Sequence, residues 1–85
     1  MRLRTEGITW QEIDGELVIL DLQSSMYLTT NGSGAFLAKL LTEERTEQEL
    51  ASALAAEFDI ADDVAAADTA AFIEQLAEKK LLISS

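Results

Sequence analysis

Residues 26–37 read Met26-Tyr27-Leu28-Thr29-Thr30-Asn31-Gly32-Ser33-Gly34-Ala35-Phe36-Leu37, and within this stretch a strand has to become a helix. Met26 to Thr30 are β-formers without charge or proline, a composition that predicts a strand. Asn31-Gly32-Ser33-Gly34 then breaks it. Asn31 or Ser33 can accept from the exposed N–H groups of a new helix, and the two glycines read as turn residues. Ala35, Phe36, Leu37, Leu40 and Leu41 supply the apolar side of that first helix.

Upstream of this junction the pattern is strand-like. Ile8, Trp10 and Ile13 are interleaved with polar residues and predict a first strand. Asp14-Gly15 follows, a pair that tolerates positive φ and suits a tight hairpin. Leu17-Val18-Ile19-Leu20, with Leu22, is apolar on both faces and reads as a central strand. Gln23-Ser24-Ser25 makes a polar turn into the third strand. The expectation is a three-stranded antiparallel meander within about residues 5–30.

Downstream, about residues 31–80 read as three helices. Thr46 and Glu49 form a capping box ahead of a second helix carrying Leu50, Ala53, Leu54 and Phe58. Asp59-Ile60-Ala61 is a break, and Asp62 or Asp63 is expected to cap a third helix with Thr69, Phe72, Ile73 and Leu76 at helical spacing. Lys79 and Lys80 close it, where positive charge suits the helix dipole. Leu81-Leu82-Ile83 should fold back onto the core. Neither half buries its own apolar face, so the two should pack as one α+β domain over residues 1–85.

Composition removes most chemistry. The 85 residues contain no histidine and no cysteine, so the usual general base, thiol nucleophile, disulfides and zinc ligands are all missing. Ser24, Ser25 and Ser33 have no nucleophile elbow around them and read as turn and cap residues. Gly32 and Gly34 lack the Lys-Ser or Lys-Thr of a phosphate loop. Read from Asp59 as an EF-hand, the sixth and twelfth positions are Val64 and Ala70 instead of glycine and glutamate. No enzyme, metal or cofactor is expected. Sixteen acidic against six basic residues give a net charge of −10, which opposes nucleic acids and anionic membranes and favours a basic partner. Residues 46–78 hold no lysine or arginine, against a DNA-binding winged helix. An acyl carrier would need an Asp-Ser-Leu-like site in an all-helical chain, which Gly32-Ser33-Gly34 does not provide. With no membrane-length apolar run and no signal segment after Met1-Arg2-Leu3-Arg4, the expected location is cytoplasmic.

A surface remains. In a simple meander the third strand is an edge, and residues 26–30 lack the charge or proline that usually blunts one. Either the third helix or the C-terminal tail covers it, or it is used for binding.

The junction resembles that of the PqqD-like family. That family shows a Tyr-Tyr-x-Leu-Asn pattern followed by a Pro-Thr-Gly-like turn and an aromatic, matched here at Tyr27, Asn31, Gly34 and Phe36-Leu37. Leu28, Thr30 and Gly32 depart from it, as does Lys80, where the family often has glycine. The Asp14-Gly15 hairpin, the Thr46-to-Leu50 helix start, Phe72-Ile73-x-x-Leu76 and the closing Leu81-Leu82 also agree. The resemblance implies a winged-helix-like fold of three strands and three helices. It also implies recognition of a leader peptide from a ribosomally made precursor. The leader would add as a strand beside the third strand, with the third helix as the other wall. Either Met26, Leu28 and Thr30 or Tyr27 and Thr29 would then face the groove, because strand side chains alternate. On the helix, Ala65, Asp68, Thr69 and Phe72 share a face. Ala65 and Thr69 would leave room, Asp68 would attract a base, and Phe72 would be either wall or core. A free-standing domain of this size looks most like those of lasso-peptide pathways. Its expected partners are a separate leader peptidase and a cyclase, and its expected state is a monomer or a weak edge-strand dimer. A chaperone for a pyrroloquinoline-quinone or other radical-enzyme pathway is the related alternative.

Overall fold

The computed structural model describes residues 1–83; Ser84 and Ser85 lie outside them. The elements in chain order are β1 (Arg2–Leu3), β2 (Ile8–Ile13), β3 (Glu16–Asp21), β4 (Met26–Asn31), α1 (Gly32–Leu40), α2 (Glu47–Phe58), α3 (Asp62–Glu78) and β5 (Leu82–Ile83). Asp14 and Gly15 have φ of 51° and 83°. Their turn therefore carries the twist of the strands it joins, and Ile13 pairs with Glu16. Ser25 is left-handed as well, and Asp21 pairs with Met26 across the second turn. The main sheet is antiparallel with order β2-β3-β4. This is the α+β meander followed by three helices that the sequence predicts. The winged-helix likeness is loose, because all three strands of the main sheet precede the helices.

The register decides which side chains meet the core. Trp10 opposes Ile19, which opposes Leu28, so these three share the helix-facing side. Leu17 and Ile19 are buried there against Leu37, Ala38, Leu54 and Leu76. Helix α2 opens with the expected capping box: Glu49 N–H donates to Thr46 Oγ1 at 3.1 Å and Thr46 N–H to Glu49 Oε1 at 2.8 Å. It ends at Asp59, in the left-handed region. The Phe36 and Phe58 rings meet edge to face at 5.7 Å and tie α1 to α2.

Three expectations are corrected. The strands do not begin near residue 5, because β1 precedes them and pairs antiparallel with β5. This short sheet is held by backbone bonds from Leu3 N–H to Leu41 and from Arg4 N–H to Leu81. Two-residue strands carry no periodicity to read. Neither Asp62 nor Asp63 caps α3: the cap is Ala61, which offers no side-chain acceptor, and both aspartates sit in the first turn. There their charge still suits the helix N-terminus. Strand β4 runs through Asn31 and α1 begins at Gly32, so Ser33 lies inside the helix and does not precede it.

Candidate functional site

Strand β4 pairs with β3 alone among the described residues. Among the described residues of the C-terminal tail, Leu82–Ile83 pair with β1 and not with this edge. Every second residue of β4 therefore turns its N–H and C=O away from the sheet. Across from this edge stands α3. Helix and strand both pack on α1 and hardly touch each other, which leaves a groove between them with α1 as its floor.

The groove has two connected parts. One, of 330 Å³, is bounded by Thr29 and Thr30 of β4, Ser33, Gly34 and Leu37 of α1, and Asp68, Ala71, Phe72 and Gln75 of α3. The other, of 460 Å³, continues along Ser25 to Thr29 and reaches Lys79. Thr29 belongs to both. The helix thus runs opposite to the strand, with Asp68 beside Thr30 and Lys79 beside Met26.

The sequence left two faces of β4 open, and the register separates them. Met26, Leu28 and Thr30 lie on the helix side, where Asp21, Ile19 and Leu17 oppose them. Tyr27 and Thr29 oppose Leu20 and Val18 on the outer face, and Tyr27 is 63% exposed. Thr30 is buried, its hydroxyl donating to the Leu17 carbonyl at 3.5 Å. Leu28 is half-buried against the core, whereas Met26 is exposed.

On α3 the four singled-out residues divide. Asp68 is exposed at the groove and Phe72 borders it while 7% exposed, so the ring is both core and wall. Ala65 and Thr69 are fully buried. They lie beneath the groove and not in its lining, which corrects the expectation that they leave open space. The Thr69 hydroxyl has no hydrogen-bond partner there.

Ser33, Gly34, Leu37, Ala71 and Gln75 also line the groove, a role that nothing in the sequence marks. The sequence reads Gly34 as a turn residue. It lies within α1, and a Cβ there would sit 3.1 Å from Thr30 Cβ and 3.4 Å from Phe72 Cε1. Its lack of a side chain lets helix, strand and ring approach at the groove floor. Gly32, the first residue of α1, is the glycine whose backbone needs positive φ, at 52°.

The edge is anchored at its start. Asp21 is 4% exposed, pairs with Arg4, and accepts from Gln23 N–H at 3.0 Å. Burial pushes its carboxyl up, but donation from Gln23, Ser24 and Arg4 outweighs this and holds it below the ordinary value. The turn that launches β4 is thereby fixed to the chain just after β1. No cluster of three or more metal-ligating acidic side chains occurs among the described residues. Nor is any helix among them long and apolar enough to cross a membrane. What this arrangement offers is a row of unpaired backbone groups beside a shallow groove, a geometry that receives an extended chain.

The model of the coenzyme PQQ synthesis protein D (PqqD) family matches residues 16–82. Among solved structures, the chain is similar to TbiB1 in complex with the TbiA(beta) leader peptide, with a TM-score of 0.86 and 28% identity. That match covers 100% of this chain and 98% of the other. It is also similar to a lasso peptide synthetase B1 complexed with the leader peptide, with a TM-score of 0.82 and 26% identity over 98% and 96% of the two chains. No curated protein matches it.

Proposed function

Because this chain belongs to the PqqD family, we propose that it binds the leader segment of a ribosomally made precursor by strand addition and serves lasso-peptide maturation. The observation that carries this reading is the uncovered edge of β4 bordering a groove walled by α3. The two similar structures, one of them a lasso peptide synthetase B1, hold leader peptides. Backbone pairing along β4 supplies affinity, and the helix-side positions Met26 and Leu28, with Asp68 and Phe72 opposite, supply selectivity. Tyr27 and Thr29 face away from the helix and are left for a second protein. Ala65 and Thr69 act indirectly, by seating α3 close enough to form the wall.

The chain acts without catalysis of its own, as one cytoplasmic unit. It hands the leader to a separate peptidase, with a cyclase acting on the remainder. The test uses synthetic peptides covering the short reading frames that flank the gene, with the TbiA(beta) leader peptide as reference. Amide exchange by NMR is expected to show protection at alternate residues of β4 when a flanking peptide binds. Methylating alternate backbone nitrogens of that peptide should abolish binding in one phase of the alternation and not the other. Binding that protects α2 in place of β4, or no binding by any flanking peptide, would overturn the reading.

A further inference from the structure

Charge is unevenly placed around the groove. Of the six basic side chains, Arg4, Lys39 and Arg45 are taken up by Asp21, Glu12 and Glu43. Arg2, Lys79 and Lys80 make no ion pair among the described residues; in a chain of net charge −10, Lys79 lines one mouth of the groove and Lys80 stands with it in the adjoining hollow, which also borders Met26. Glu78 shares that hollow, as does the Arg4–Asp21 pair, which cancels itself. The balance there is positive. At the other mouth Asp68 is the charged residue of the lining, exposed and likewise without an ion pair among the described residues. Between them the wall is Ala71, Phe72 and the neutral Gln75.

Resting on the strand-addition reading, we propose that this groove selects its peptide by charge as well as by backbone pairing: an acidic side chain over Lys79, with Lys80 adding to the field beside it, and a basic one over Asp68. Asp68 and Lys79 are eleven positions apart in the sequence, about 16 Å along a helix at ~1.5 Å per residue. At ~3.3 Å per strand residue that spans about five positions. Side chains on one face of a strand are an even number apart, so the two charges in the peptide sit four or six residues from each other. Met26 and Thr30, which flank the same two mouths, are themselves four apart.

Lysines at the end of α3 also complement its dipole, and the experiment separates the two roles. A phage-displayed library of random dodecapeptides is selected on the intact chain, on Asp68→Lys and on Lys79→Glu. The native chain should enrich strands carrying one acid and one base at the stated spacing. Each variant should replace the charge opposite the altered residue and leave the other. Synthetic peptides from the native selection should lose about three- to tenfold in affinity for either variant at ~0.05 M salt, and much less at ~0.5 M. Strands selected without charge preference, or with the same charges on all three proteins, would overturn the charge assignment and leave strand addition standing. So would Lys79→Glu lowering the melting temperature while its selected peptides stay unchanged. Failure to select any peptide that protects β4 amides would overturn both.

Discussion

Gly34→Ala tests whether the groove floor is where the peptide lies. In stability, two effects oppose each other. Alanine gains about 1 kcal/mol over glycine inside a helix. Its Cβ would stand 3.1 Å from Thr30 Cβ, roughly 0.4–0.9 Å closer than two carbons prefer. Thr30 Cβ is fixed to the backbone of β4 and cannot swing aside, so strand and helix must separate at about 1–3 kcal/mol. The net expectation is a loss of about 0–2 kcal/mol in urea melts. Gly32→Ala makes the control: nothing lies within 4 Å of its Cβ, but its φ of 52° is unfavourable for alanine by about 1–2 kcal/mol. In peptide titration the order should reverse. Gly34→Ala narrows the floor and displaces Phe72, costing about tenfold in affinity, a loss of ~1.4 kcal/mol. Gly32→Ala, outside the groove, should bind as the native chain does once folded. Unchanged affinity in Gly34→Ala, or equal losses in both, would refute the placement of the peptide over this floor.

Thr69→Val removes a buried hydroxyl with no partner at nearly constant volume; it should stabilise the fold by about 1 kcal/mol, or ~4–8 °C, and a loss of stability would mean the hydroxyl is satisfied by a buried water. Lys80 has φ of 58°, so Lys80→Gly should raise stability by about 0.5–1 kcal/mol in urea, and a clear drop would show that its side chain packs. Asp21 has a folded pKa below its ordinary 3.8, so its contribution is present at neutral pH and disappears as pH falls through the folded value. The native chain should therefore exceed Asp21→Asn in stability at pH 7, the gap closing below about pH 4, and a gap independent of pH would refute the linkage. Two chains of net charge −10 held about 25 Å apart, twice the 12.3 Å radius of gyration, repel by roughly 7 kcal/mol at ~0.01 M salt and under ~1 kcal/mol at ~0.15 M. Sedimentation should show self-association through β4 growing with salt and vanishing when peptide is added; salt-independent monomers would mean that the edge is blunted by something other than charge.

The sheet was legible because its signals are local. Asp14-Gly15 can turn tightly wherever it occurs, and four apolar residues in a row at Leu17 to Leu20 mark the central strand. Of these the fold buries only Leu17 and Ile19 and leaves Val18 and Leu20 half-buried on the outer face. Thr46 and Glu49 define a helix start by spacing alone, and the capping box forms as read. The first strand was not legible because its deciding partner is distant in sequence. Arg2–Leu3 becomes a strand because Leu82–Ile83 lies beside it, eighty positions away. Lys80 shows the reverse case, in which a local departure becomes intelligible. The family often has glycine there, and the left-handed backbone at the end of α3 explains that preference.

The site was half legible for the same reason. Edge status followed from strand order, and alternation limited the choice to two sets of side chains. Which set faces the helix depends on which face of β3 the core takes, and Leu17 to Leu20 are apolar on both. Burial of Asp21 settled the phase in the folded chain: it is held by Arg4, on the same side as Ile19 and Leu17. Helical spacing placed Ala65 and Thr69 on the face of Phe72, but a shared face spans both wall and core. Depth is what separates them: Asp68 reaches water at the rim, Phe72 stands at the boundary, and Ala65 and Thr69 lie below it. A sequence records angle around a helix and not depth beneath a surface. The groove's outline was therefore predictable, while its floor, made by Gly34 and Leu37 of a helix that the strand itself runs into, was not.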